Sequence, residues 1–288
     1  MLVYMPFRKV LLASFCLAVA TRTAVAADKV IDPNERSYNQ ANADIGRGDY
    51  SKAATELTQL LNLLNLEEAA AYNSRSHAWA QLGESAKAIQ DARTAVAMDP
   101  GSALTYESLG RCLEFAGQTR DALLAYQEAK KRHAREPHVE YLMGIDEEIL
   151  GDDAEACRYF WSAYTSATDR EVRTMALLHF AVLQPVPSPK VLSALRTVSA
   201  TEDEEWREVL FAYAMGQTNA RDMIMLMSAL DTKGDLWETC EGHCFAAIHA
   251  KTHGNLQLAR HEAQLATAAF DNPTLDEVRL ARAIAAAK

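Results

Sequence analysis

The sequence predicts an all-α protein, a solenoid of stacked helical hairpins, and three observations carry that expectation. Residues recur at a fixed step of 34: Gly83, Gly117 and Gly151 form one ladder, Ala88, Ala122 and Ala156 a second, and Ala95, Ala129 and Ala163 a third. A repeat of this length marks a supersecondary unit that cannot bury its apolar face alone and stacks on its neighbours. Proline and glycine are scarce, 8 and 12 among 288 residues, which disfavours turn-rich β architectures and excludes collagen-like ones. Ala, Leu, Glu, Arg and Gln dominate long stretches, and all are good helix formers.

Residues 1-26 read as a secretory signal rather than as part of the fold. Arg8 and Lys9 precede an uncharged apolar run, Val10 to Ala20, and Ala24-Val25-Ala26 offers the small residues a signal peptidase reads. The run is too short to span a membrane, which takes about 20 residues. Phe15 precedes Cys16 where lipoprotein signals carry a small residue, so no lipid anchor is expected. Cleavage near Ala26 removes three bases and no acid, which takes the formal net charge from -10 to -13. The product is expected in an exported compartment, of which a bacterial periplasm fits best. So acidic a chain lacks the clustered Lys and Arg that phosphate neutralisation needs, which argues against nucleic acid as a partner.

The body follows in order. After a lead-in at 27-36, residues 37-167 hold four repeats. In each, a first helix runs to a glycine that ends it in the left-handed conformation, and a second helix packs back. Gly110 and Gly144 on first helices, and Ala88, Ala122 and Ala156 on second helices, are expected where the two cross closely. Trp79, Leu113, Tyr126 and Phe160 fill the space around them. Asp99-Pro100 closes one unit, since proline stops the helix before it. Residues 168-234 read as degenerate helical hairpins: 171-183 form an amphipathic helix, Gln184 to Pro189 a stiff break, and Thr201 with Glu204 a capping-box start. Residues 235-288 revive the repeat, with Gly254, Ala259 and Ala266 at the spacings of Gly117, Ala122 and Ala129, and end in a capping helix.

The segments 72-100, 105-131 and 140-164 resemble the tetratricopeptide-repeat family nearly throughout. An earlier unit, 38-61, matches through Gly48-Asp49-Tyr50 and Ala53. It is one residue out of step with Gly83, and it places Asp44 where the family prefers a large apolar residue. The resemblance implies a right-handed superhelix and a protein or peptide partner. The layout is also similar to that of exported NlpI-like adaptors, which bring proteases and cell-wall hydrolases together; those are lipoproteins, and the acylation signal is missing here.

The first helix of each unit lines the concave side of such a stack. The ladder places Tyr38, Asn42, Asn73, Ser74, His77, Gln81, Glu107, Ser108, Arg111 and Tyr141 on that face. Amides and hydroxyls there can hydrogen-bond a peptide backbone, and Tyr adds rigid apolar area. The carboxylate clamp of chaperone-tail binders is not expected: its positions carry Tyr38, Ser74, Leu104 and Ser108, and only Asn42 fits. An alternative is self-association through apolar residues of 206-230, motivated by Met223, Met225, Met227, Leu226 and Leu230.

Four cysteines follow the signal. Cys240 and Cys244 share a helix face, and one turn brings them within reach of a disulfide; Cys112 and Cys157 read as buried apolar residues. Cys240, His243 and Cys244, with His249 and His253 nearby, also pose a metal reading, although the spacing is neither that of a haem attachment nor of a zinc finger. No enzyme signature is visible, His179 reads as a core histidine, and neither a cofactor nor a catalytic residue is expected.

Overall fold

In a computed structural model the described residues are 33-63, 68-132, 137-201, 204-230, 236-270 and 275-287. The expected signal, its cleavage point at Ala26, Cys16, Gly234 and Asn272-Pro273 lie outside them. Among the described residues there are fifteen helices and no strand: α1 (Pro33–Arg47), α2 (Tyr50–Leu63), α3 (Ala69–Gln81), α4 (Ser85–Met98), α5 (Ala103–Phe115), α6 (Thr119–Arg132), α7 (Pro137–Leu150), α8 (Asp153–Ser166), α9 (Arg170–Val182), α10 (Pro189–Ser199), α11 (Glu205–Ala214), α12 (Ala220–Leu230), α13 (Trp237–Thr252), α14 (Leu256–Ala269) and α15 (Asp276–Ala286). They form an all-α helical-repeat solenoid in two compact units, Met1–Arg132 and His133–Lys288. The boundary falls inside the 37-167 stretch.

Unit 1 holds three hairpins, α1/α2, α3/α4 and α5/α6, each packed on the next. The turn that reverses α5 shows why a glycine recurs. Gly117 stands at φ +72, its amide donates to the Glu114 carbonyl at 2.8 Å, and the Gln118 amide donates to the Leu113 carbonyl at 2.8 Å. That pairing satisfies the orphaned carbonyls of a helix end and needs a left-handed residue. In the first hairpin the same role falls to Gly48 at φ +85, one residue out of register with the others. Asp44, also foreign to the repeat pattern, is fully buried. Lys52 answers it at 3.1 Å, Gln40 at 3.4 Å and Arg47 through a further hydrogen bond. A bidentate Arg75–Asp91 pair, 2.7 and 2.8 Å, fastens α3 to α4.

The alanine ladders are interior throughout: Ala88, Ala122, Ala156, Ala95, Ala129 and Ala163 are all buried. Beside them α5 and α7 each meet the second helix of their hairpin over a residue with no side chain. A methyl at Gly144 would lie 2.6 Å from Phe160 Cε1, and one at Gly110 would strike the Tyr126 ring. Phe160 cannot yield, because it is fully buried and stacked on His179 at 4.9 Å between ring centroids. Trp79, in contrast, stays partly exposed under the Lys87 ammonium, 4.6 Å from its centroid.

Unit 2 holds α7/α8, α9/α10, α11/α12 and α13/α14, followed by α15. Five of its nine described helices start as their sequence suggests: Asp152, Asp169, Ser188, Asn219 and Asn255 each accept a hydrogen bond from the amide three residues on. The expected capping box does not form. Thr201 instead donates to the Val198 carbonyl at 2.9 Å and so finishes α10, while α11 begins at Glu205 behind an uncapped Glu204. Unit 2 also departs from a simple stack. The first helices α7, α9, α11 and α13 pack on one another, and α15 reaches back onto α7 as well as onto α13 and α14.

The helix crossing yields a prediction with opposite signs for one substitution. Gly144→Ala forces the Phe160 ring off its seat and lowers stability by about 1–3 kcal/mol. Gly46→Ala, in a helical position with nothing within 4 Å, raises it by about 0.5–1 kcal/mol. Thermal unfolding of the two variants checks both.

Candidate functional site

The first helices of unit 1 carry seven of the ten residues assigned to the concave face with their side chains partly exposed: Tyr38, Asn42, Ser74, His77, Gln81, Glu107 and Arg111. The Tyr38 and Ser74 hydroxyls hydrogen-bond at 3.2 Å, and Tyr38 donates to the Ala70 carbonyl at 3.4 Å, which ties α1 to α3. The Asn42 amide donates to the Tyr38 carbonyl one turn back at 3.2 Å. Arg111 pairs with Glu114 at 2.8 Å and lies over the Phe115 ring. His77 meets the Tyr50 ring edge-on at 6.4 Å. Burial pushes its imidazole down to about 4, and the nearby Arg111 guanidinium adds to this. The face thus offers hydroxyls, amides, a neutral imidazole and a compensated Arg–Glu pair. This is chemistry suited to a peptide backbone rather than to a strongly charged ligand.

Three of the ten are not on an open face: Asn73, Ser108 and Tyr141 are 5%, 4% and 7% exposed. Asn73 and Ser74 are chain neighbours, as are Glu107 and Ser108, and neighbours stand about 100° apart around a helix. When one looks outward, the other turns toward the adjoining helix, and α3 and α5 do pack side by side. Tyr141 is covered for a different reason. It belongs to unit 2, where its ring packs on Phe160 and His179 at 5.9 and 6.0 Å. Burial, and then the Glu277 carboxylate, push its phenol well above the usual range.

That interior of unit 2 is unusually polar, and the sequence reading missed it. Asp146, Glu148, His179, Glu241, Glu277, Arg207 and Arg279 are all buried. His179 Nδ1 and Glu148 Oε2 lie 3.2 Å apart, consistent with a core histidine. Arg279 donates to Asp146 at 2.7 Å across 133 positions of sequence. Arg207 pairs with Glu171 at 3.0 Å and Glu204 at 3.3 Å. Burial raises Glu171 to about 7, although Arg207 pulls it back. The one available signal was Gly144-Ile145-Asp146-Glu147-Glu148, a run of acids on a first helix that the ladder makes interior.

The possible Cys240–Cys244 bridge is not formed: both thiols are free and buried. Cys240 Sγ donates to the Phe270 carbonyl at 3.8 Å and Cys244 Sγ to the Glu277 carbonyl at 3.4 Å, so the two sulfurs serve different neighbours. Nor do they converge with His243, whose Nδ1 faces Glu262 Oε2 at 2.7 Å. No group of three or more His, Cys, Asp or Glu side chains is placed to hold a metal among the described residues. The methionine stripe is split: Met223 and Met227 are core, while Met225 and Leu226 are 61% and 51% exposed. No described helix is long and apolar enough to cross a membrane.

The fold, an all-α helical repeat, is similar to that of solved tetratricopeptide-repeat proteins. A tetratricopeptide repeat protein from Parabacteroides merdae superposes with a TM-score of 0.55 at 12% identity, covering 87% of this chain and 98% of that one. The C-terminal part of a repeat-containing protein of the same type from Cytophaga hutchinsonii gives 0.51 at 16% identity, covering 84% and 99%. The family model of the bacterial transcriptional activator domain matches residues 52–142. No curated protein matches the chain.

The two shifted groups predict opposite responses to acid. The His77 pKa falls from 6.5 to about 4 on folding, so the unfolded chain binds the extra proton between those values. Its share of unit 1 stability is lost as the pH drops from 6.5 toward 4. Glu171 rises from 4.5 to about 7, so its share is full below pH 4.5 and is lost as the pH climbs toward 7. Hydrogen exchange resolved by unit, at pH 5 and pH 7, checks this. His77→Gln abolishes the first dependence and Glu171→Gln the second.

Proposed function

We propose that the chain is an adaptor whose unit 1 face of α1, α3 and α5 binds an extended segment of a protein partner. The observation that carries this reading is the contrast between the two units. Within unit 1 the first helices keep Tyr38, Asn42, Ser74, His77, Gln81, Glu107 and Arg111 partly exposed, although they also bury Asp44, Asn73, Ser76, Thr105, Ser108 and Glu114, whereas the first helices of unit 2 bury a more heavily charged set, Glu140, Asp146, Glu148, Arg207 and Glu241. A solenoid uses such an uncovered face for extended contacts. The export pattern of residues 8-26 extends the reading to a periplasmic or secreted adaptor, acting in envelope assembly, secretion or regulated proteolysis.

Partner capture tests the face. His77→Ala, Gln81→Ala and Arg111→Ala combined are expected to weaken capture about tenfold or more, the loss typical of central interface residues. Gln90→Ala, exposed on α4, leaves it unchanged. A triple variant that keeps every specific partner refutes the proposal. The export reading has its own check: the protein isolated from its native cell begins at Ala27, and retention of Met1 would show that no signal is removed.

A further inference from the structure

The α11/α12 hairpin of unit 2 carries an open groove. α12 packs on α11 and α13 and buries only Met223 and Met227. Leu226 is 51% exposed, and Met225 beside it 61%. α11 turns one stripe to the groove, Glu205, Glu208, Val209 and Ala212, whose steps of three and four residues place them on a single helix face. Leu226, Ala229 and Leu230 of α12 form the other wall. The space between the walls measures ≈ 500 Å³, and no lysine or arginine lines it. Glu205 and Glu208 are exposed, and neither carboxylate has an ion-pair partner among the described residues. The amino terminus of α11 favours an acid in its first turn. Two acids on one stripe nevertheless repel each other, and here they stand at the edge of the apolar floor that Val209 and Ala212 continue.

We propose that this groove docks a short amphipathic helix of a partner protein, with aliphatic side chains against Val209, Ala212, Leu226 and Leu230 and a lysine or arginine against Glu205 and Glu208. The lining selects a helix over an extended segment. Thr218 is its one uncharged side chain able to hydrogen-bond, so an extended backbone would leave amides and carbonyls unpaired against apolar walls. A helix satisfies its own backbone and meets such a groove through side chains at helical spacing. From Glu205 to Ala212 the α11 stripe runs about 10 Å, two turns of a docked helix. Charge selects the occupant further. An acidic rim that contains no base attracts a cation and disfavours a second acidic surface, which sets a basic partner ahead of another copy of this chain, whose formal net charge is -10. The flexible thioether of Met225 adapts to the side chain it meets. The site is already uncovered, lies wholly within unit 2 and is independent of the face proposed in unit 1.

The test uses the full chain and two synthetic alanine-based peptides of about 15 residues, long enough to hold a helix. Both carry leucines along one face; one has two lysines a turn before them, the other two glutamates. Fluorescence anisotropy at physiological salt follows their binding. The lysine peptide should bind the wild-type chain and lose about tenfold in affinity for the Glu205→Lys, Glu208→Lys double variant, as paired interfacial charges allow. The glutamate peptide should show the reverse preference. Leu226→Ser, at an exposed position, should weaken the lysine peptide about tenfold as an anchor contact does, and hydrogen exchange of α11 and α12 verifies that the hairpin persists; if this variant loosens the hairpin, the charge exchange decides alone. Equal binding of the lysine peptide to the wild type and the double variant makes the attraction one of general acidity and overturns the proposal. Absence of binding to the wild type overturns it as well. A dimer of the wild-type chain in sedimentation at micromolar concentration, abolished by Leu226→Ser, overturns it in favour of a second copy as occupant.

Discussion

Everything else in the repeat depends on two helices approaching over a position that carries no side chain. At Gly110 and Gly144 the ring of Tyr126 or Phe160 occupies the volume a methyl group would need, and those rings are among the largest fully buried side chains of the protein. Close packing of this kind transmits its spacing along the chain. Once a glycine sets the crossing distance, the alanines at 122 and 156 must be small, and the next hairpin meets a surface of fixed shape. The 34-residue period is thus the trace in sequence of a repeated steric constraint.

The two units resolve the polar groups on their first helices differently. Unit 1 satisfies them within a turn or between adjacent hairpins, through Arg111 with Glu114 and Tyr38 with Ser74, and keeps Tyr38, Ser74 and Arg111 partly exposed. Unit 2 draws acids and bases inward and pairs them across distant helices. A buried pair gives little net stability over an apolar substitute, but removal of one partner strands the other at a cost of about 3–5 kcal/mol. The interior of unit 2 is therefore specified more by its constraints than by its strength: Asp146 and Glu148 admit only neighbours that answer their charge.

The fold was legible because its determinants are local and periodic. Gly117, the alanine ladders and Asp152 act within a few residues of their own position, and the one-residue slip at Gly48 was visible too. The candidate face was legible only in part. Asn73 and Ser108 were placed outward because a ladder marks a helix face to within about one residue, which is 100° of rotation. Tyr141 was placed outward because its cover includes residues at His179 and near Glu277, and no periodicity reports a contact over such separations. The same holds for Thr201, whose choice between finishing one helix and starting the next depends on where α11 packs, and for Cys240 and Cys244, whose carbonyl partners belong to later segments.

The Arg279–Asp146 and Lys251–Asp153 pairs, which join residues 133 and 98 positions apart, also bear on how the protein is made. In unit 1 the links Tyr38–Ser74 and Cys112–Ser76 join positions only 36 apart, so that unit can assemble hairpin by hairpin as it leaves the ribosome. In unit 2, Asp146 emerges on the order of ten seconds before Arg279 at ordinary elongation rates. During that interval its carboxylate must remain hydrated, and the surrounding helices cannot close around it. Non-local closure of this sort is intrinsically slow. Unit 2 is accordingly the half of the molecule that waits, incomplete and with its apolar faces accessible to chaperones, until its final helix has been synthesised.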